Sequence, residues 1–269
     1  MKNIFIIKNY QQPIELRQGE LLDYFKYFQN YSKIPKNKFI LFANYRTGST
    51  LLTDLLNCHP DIFVDGEIFN KFIKLDFKKV IFPYLYVKSQ SIKVNKKVYG
   101  FDLKMHQLTN ILIQKFNHKP EDYLLRLYHN NWKIIYLYRE NLFNLVISSL
   151  KAIKREQWHD LGDNSFICTS VYIDCQELIK SLNYHQKNQI IEKEIMKKIP
   201  HLKIIYENNL LHSKEHQNTA NIIFDYLGLQ SVSVTTKMKK VSLNSVWDDV
   251  ENAQEVIDFI KQTEYSIYL

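Results

Sequence analysis

Cysteine is scarce in this chain and badly spaced for a scaffold: Cys58, Cys168 and Cys175 are odd in number and form no C-x-x-C pair. They support neither a disulfide framework nor a zinc ribbon, and a reducing compartment suits them best. Long apolar runs are missing as well. The N-terminal MKNIFIIKNYQQ holds four consecutive apolar residues, Ile4 to Ile7, too few for the core of a signal peptide. No stretch approaches the roughly 18 apolar residues needed to span a bilayer. Neither a repeat of solenoid length nor a low-complexity tract is present. The expectation is one cytoplasmic α/β domain over residues 1–269, with no membrane span and an N-terminal extension, 1–37, of uncertain role.

Basic residues exceed acidic ones, for a formal charge of +8, and much of the excess is local. Residues 71–104 carry nine Lys against Asp76 and Asp102. Such a stretch reads as a solvated surface combined with a field that attracts an anionic small molecule. No named nucleic-acid-binding motif accompanies it, so nucleic acid is not the expected partner.

The chemistry is concentrated in residues 39–69, FILFANYRTGSTLLTDLLNCHPDIFVDGEIFN. Strand-formers from Phe39 to Phe42 give way to Asn44-Tyr45-Arg46-Thr47-Gly48-Ser49-Thr50. Apolar residues then return at helical spacing: Leu51, Leu52, Leu55, Leu56. This is a strand, a tight loop and a helix N-terminus, whose free N–H groups and dipole favour phosphate or sulfate. Arg46 adds a cation, and Ser49 and Thr50 add hydroxyls. A nucleoside-triphosphatase loop would require G-x-x-x-x-G-K-[ST], but Ala43 stands where its first glycine belongs and no Lys precedes Ser49.

A second strand-to-helix unit lies at 132–152, WKIIYLYRENLFNLVISSLKA. A strand over Lys133 to Tyr138 breaks at Arg139, and a helix starts near Asn141. Arg at a strand's end can grip a phosphate in bidentate fashion, and a serine two turns into the helix, Ser148 before its neighbour Ser149, supplies a neutral donor. A kinase would more naturally end this strand in an Asp that holds Mg²⁺.

R-T-G-S-T-L-L, C-H-P-D-I-F and G-E-I-F, in this order, resemble the sulfotransferase family. The likeness is greatest to its carbohydrate-type branch, bacterial (Nod-factor and glycolipid) and Golgi. The resemblance implies a P-loop-kinase-like parallel sheet of about four to five strands flanked by helices on both faces. It also implies transfer of a sulfuryl group from 3′-phosphoadenosine 5′-phosphosulfate (PAPS) to a hydroxyl of a small-molecule or glycan acceptor, without a metal, leaving 3′-phosphoadenosine 5′-phosphate (PAP). On this resemblance Arg46 and the loop residues Thr47, Gly48, Ser49 and Thr50 take the 5′-phosphosulfate, and Arg139 and Ser148 the 3′-phosphate. LKIIYENNL (202–210) is similar to the family's late strand, with Tyr206-Glu207 fixing the loop after it. TTKMKKVSLNSVW is similar to its final basic loop, where Lys237, Lys239 and Lys240 could cover the nucleotide.

The base stays open at this point. Glu67 of G-E-I-F matches the segment that carries a catalytic Glu. His106, in FDLKMH with Lys104 ahead of it, is similar to the K-x-H of the aryl and steroid branch. A carboxylate loses its proton near ~4.3 and a histidine near ~6.5, so a pH profile is expected to help separate them. Two other classes also stay open: a small-molecule kinase on the same fold, and a non-catalytic relative that binds acidic polysaccharide or nucleic acid. HSKEH (212–216) matches the H-x-x-E-H metal signature, yet so short a motif recurs by chance and a polar helix start explains it.

Alternating patterns give strands at 38–43, 98–104, 132–138 and 202–206. Helices are expected at 49–57, 106–129, 141–155, 170–197, 213–227 and 248–261. Arg46, Lys104, Arg139 and Glu207 then all fall at strand C-terminal ends, where parallel sheets bind ligands.

Overall fold

The computed structural model describes residues 13–74, 80–109, 119–158, 168–238 and 245–269. Five strands, β1 (Asn37–Ala43), β2 (Ile62–Asp65), β3 (Val98–Leu103), β4 (Trp132–Tyr138) and β5 (Leu202–Ile205), form one sheet in the order β2-β3-β1-β4-β5. The pairs β2–β3 and β4–β5 are parallel. Helices α1 (Pro13–Gln29), α2 (Ser49–Leu56), α3 (Asn70–Lys74), α4 (Pro83–Ser91), α5 (Met105–Gln107) and α6 (Pro120–His129) precede or interleave the first four strands. After β4 come α7 (Leu142–Arg155), α8 (Cys175–Met196), α9 (Tyr206–Asn209), α10 (His216–Leu227) and α11 (Ala253–Lys261). The chain is thus a mixed α/β protein with a five-stranded sheet flanked by helices, as the alternating pattern implies.

By contacts the chain divides into two compact units. One is drawn from residues up to Leu41 and from Pro60–Ile134, the other from Phe42–His59 and from Ile135 onward, so β1 and β4 each give residues to both.

In the first unit, β3 is buried along its whole length, which is why it reads as a continuous strand-former run. Gly100 at its centre is packed against the Phe39 ring: a Cβ there would lie 2.3 Å from the ring, so only glycine fits. β2 joins β3 with Ile62 opposite Val98 and Asp65 opposite Phe101. Helix α1, unread in the sequence, buries Leu16 and Tyr24 beside a wholly buried Glu20. Glu20 accepts from the Tyr24 hydroxyl and from Ile81 N at 2.6 Å, while Asp23 accepts from Gln90 at 3.0 Å and Lys93 at 2.7 Å. These bonds satisfy carboxylates that would otherwise resist burial.

The expected long helix 106–129 is corrected. The α-helical turn Met105–Gln107 runs on as π-helix at Leu108 and Thr109, and α6 starts afresh at Pro120, a residue suited to the first turn of a helix and not to its interior. Residues 110–118 of that expectation lie outside the described residues.

In the second unit, α7 presents Leu142, Leu145, Val146 and Leu150 to Leu178 and Leu182 of α8 and to Val256 and Ile260 of α11, forming one apolar core. Asn141 caps α7, its side chain accepting from Asn144 N at 2.8 Å, and Asp174 caps α8 from Glu177 N at 2.7 Å. The expected helices 170–197 and 248–261 are shorter at their starts, because Val171 and Val250 pair as extended chain instead. Beside that bridge Asp249 is buried between Lys151 and Arg155, hydrogen-bonded to both.

Candidate anion-binding site

The register of β4 with β5 aligns Tyr138 with Ile205. The next residue on each strand, Arg139 and Tyr206, therefore emerge side by side at the C-terminal edge. The Arg139 guanidinium lies 4.6 Å over the Tyr206 ring. Its Nη1 donates to the Arg46 carbonyl at 2.8 Å, so the end of β4 is tied to the loop that follows β1. Glu207 fixes the backbone there, accepting from Glu140 N at 2.9 Å and Asn141 N at 3.1 Å, with its carboxylate 3.8 Å from Arg139 Nε. Gln189 of α8 donates to the Arg139 carbonyl at 3.0 Å.

The loop has the geometry its sequence suggests. Arg46 and Gly48 both have positive φ, +58° and +89°, and Gly48 leads into α2. A Cβ on Gly48 would lie 2.9 Å from the Tyr206 ring, so the glycine is required by conformation and by space. Thr47, buried, donates its hydroxyl to the Asn44 carbonyl at 2.8 Å, which braces the turn. Ser49 is buried at the start of α2, and Thr50 is half-buried beside it.

Arg46 and Ser148, read from sequence as belonging to two different phosphate sites, are in direct contact. Arg46 Nε donates to Ser148 Oγ at 3.0 Å, and its Nη1 donates to the Trp158 carbonyl. Ser149 is turned into the buried side of α7, so Ser148 is the serine that serves the loop. Burial, with Arg139 adding to it, lowers the Arg46 pKa to about 10, and Arg139 is lowered by burial as well. Arg46 is half-buried and keeps its charge at neutral pH, so the loop presents a cation.

Thr50 lines a cavity of about 530 Å³ together with Thr53 and Asp54 of α2, Asn57 just after it, and Thr235 to Met238. The Thr236 hydroxyl donates to Asp54 at 2.5 Å, and Gln217 pins the same segment through Val232 O and Val234 N. Lys237 lines this cavity. Lys239 and Lys240 lie outside the described residues.

The two candidate bases belong to the first unit. Glu67, half-buried after β2, accepts from Gln107 Nε2 at 2.6 Å. Lys104 is buried and paired with Asp102 at 2.8 Å. His106 is lowered to about 4 by burial, with Lys104 adding to it, and is therefore neutral at physiological pH. Gln107 had no signal in the sequence, since a lone amide forty residues from its partner carries no pattern. His216 of the H-x-x-E-H match has its Nε2 on the Leu210 carbonyl at 3.0 Å, and a 3-10 turn rather than α-helix separates it from His212.

No protein-family model matches the chain, and no curated protein does. Among the solved structures similar to it are two sulfotransferases. A sulfotransferase from Alicyclobacillus acidocaldarius is 12% identical, with a TM-score of 0.49 over 84% of this chain and 92% of that one. The sulfotransferase domain of the Synechococcus PCC 7002 olefin synthase is 12% identical, with a TM-score of 0.43 over 80% and 81%. Among the described residues no helix is long and apolar enough to cross a membrane.

Proposed function

We propose that this chain is a PAPS-dependent O-sulfotransferase acting on a carbohydrate or glycolipid hydroxyl. The observation that carries the reading is the convergence of Arg46, Arg139 and Ser148 on a positive-φ loop at the N-terminus of α2. Two guanidiniums, a hydroxyl and a helix N-terminus suit a ligand with two separate phosphates. That β4 ends in Arg139 rather than a metal-holding carboxylate favours direct anion binding over a kinase site. The proposal rests on these loops and their motifs, not on the two structural similarities.

PAPS supplies the sulfuryl group: the acceptor oxygen bonds to sulfur as the sulfur–oxygen bond to the 5′-phosphate breaks, and PAP leaves with the electron pair. In this reading Arg46 and the amides of Thr47 to Thr50 serve as donors to the charge that gathers on the departing phosphate. Arg139 and Ser148 hold the 3′-phosphate. Glu67 takes the acceptor's hydroxyl proton, an assignment supported by the G-E-I-F match and open to replacement by His106. Lys237 lines the cavity beyond Thr50, which supports assigning it to cover the nucleotide.

Calorimetric titration with PAP and with ATP·Mg²⁺ tests this reading. Metal-free PAP binding with no response to ATP·Mg²⁺ supports it. Preferential ATP·Mg²⁺ binding would replace it with a kinase, and failure to bind either nucleotide would leave a non-catalytic role.

A further inference from the structure

We infer that Gln107 is the positioning residue for Glu67, holding its carboxylate in one orientation and in the ionised form for proton acceptance. The inference rests on the reading of Glu67 as base and assigns a role to a residue that the motifs do not contain.

Gln107 is the last α-helical residue of α5, ahead of π-helical Leu108 and Thr109, and is completely buried. Its two ends are used differently. Oε1 accepts from Lys104 N at 3.1 Å, the first backbone N–H of the turn, which needs an acceptor. That bond fixes which way the amide faces, because only the oxygen can accept. Nε2 is left pointing at Glu67 Oε2, 2.6 Å away, as a donor. An amide neither takes nor supplies a proton, so it favours the carboxylate without competing for the proton the carboxylate is to receive. A lysine in its place would bring a full charge, and a serine would not reach across both contacts.

The Gln107 amide is one contact on the Glu67 carboxylate, and the charged groups of the neighbouring strands are held as follows. On β2, Asp65 is held above the usual carboxylate range by burial, against hydrogen bonds from Tyr99 and Gly66 N. At the end of β3, Asp102 pairs with Lys104, so those two charges largely cancel. His106, next to Gln107, is neutral near pH 7. The backbone supports the same placement, since Asp102 N donates to the Gly66 carbonyl at 3.3 Å and joins the end of β3 to the residue before Glu67.

The test is a carboxyl ¹³C NMR titration of the full chain, with the Glu67 signal assigned by its loss in Glu67→Gln. Two variants are compared with the parent. Gln107→Met removes both contacts at similar volume. Gln107→Glu keeps an acceptor for Lys104 N and replaces the donor with a second carboxylate. Loss of one hydrogen bond to the charged form is expected to raise the Glu67 midpoint by about one pH unit in Gln107→Met. Gln107→Glu is expected to raise it further, through like-charge repulsion. If Gln107→Met fails to fold, Gln107→Glu still reads the contact. An unchanged midpoint in the folded variants overturns the inference and leaves Gln107 a structural cap. If Glu67→Gln releases PAP from PAPS at the parent rate across an oligosaccharide panel, the base reading itself falls, whatever the titration shows.

Discussion

The ring of Tyr206 is shared by two loops: Arg139 lies over it at 4.6 Å, and Gly48 approaches it so closely that a Cβ would come within 2.9 Å. The parallel register of β4 and β5 produces this, since Tyr138 and Ile205 are paired and the next residues emerge together. One aromatic side chain therefore contacts both the Arg139 guanidinium and the path of the anion loop. Changes on either loop are expected to be felt at the other.

Arg139→Ala removes the group assigned to the 3′-phosphate. PAP affinity is expected to fall by about 2–4 kcal/mol, as for a charged, buried hydrogen-bonding partner. Affinity for adenosine 5′-phosphate, which lacks the 3′-phosphate, is expected to stay close to that of the parent. Calorimetry with both ligands checks this; equal losses would make Arg139 a structural residue that supports the Arg46 carbonyl.

Gly48→Val and Arg46→Ala are expected to abolish turnover by different routes. The valine places a β-branched residue at φ +89° against the Tyr206 ring, so thermal stability and PAP binding fall together. Arg46→Ala leaves the fold in place and removes charge at the leaving phosphate, for a fall in kcat of roughly 10²–10³. An Arg46→Ala variant with unchanged kcat and weaker binding alone would contradict the transition-state role.

Among the described residues Asp249 is the carboxylate paired with the buried Lys151 and Arg155, so Asp249→Asn removes the charge opposite both and costs about 3–5 kcal/mol of stability. Burial pushes the Asp249 carboxyl up, but hydrogen bonds from Lys151 and Arg155 outweigh it and hold it below the usual carboxylate range. Its contribution is full above the unfolded value of about 3.9 and is lost as pH falls through the lower folded one. Thermal melts of parent and variant over pH 2–7, a range set by about 3.9 as midpoint, should converge at the acid end.

The parts of the site that were legible in sequence are those built on buried strands. β1 and β4 are nearly all buried, so their apolar runs are unbroken and each stops where the chain leaves the sheet, at Asn44 and Arg139. β2 was missed because its four residues alternate between buried and half-buried, too short a run to stand out. Helix α1 was missed for a different reason. Its apolar residues Leu21, Leu22, Phe25 and Phe28 are exposed while Glu20 is fully buried, so hydrophobic periodicity points to the wrong face. The Arg46–Ser148 contact and the Gln107–Glu67 contact link residues far apart in sequence, and no local pattern encodes them.

The choice of base is decided by mutants, because the structure removes the pH criterion. An ordinary histidine would titrate about two units above a carboxylate, but burial and Lys104 bring His106 to about 4, within the carboxylate range. A pH–rate limb near 4 therefore does not exclude His106. Glu67→Gln keeps shape and hydrogen bonding while removing basicity, so PAP should bind normally and kcat should fall by roughly 10²–10⁴. His106→Ala should be milder in turnover. It should also change stability in a defined direction: the native state disfavours the protonated imidazole, so His106 penalises folding as pH drops from about 6.5 towards 4. Removing it should flatten that acid loss in a thermal melt series. PAP release from PAPS across an oligosaccharide panel supplies the rates. Full activity in Glu67→Gln alongside an inactive His106→Ala would move the base to His106 and the kinship towards the aryl and steroid branch.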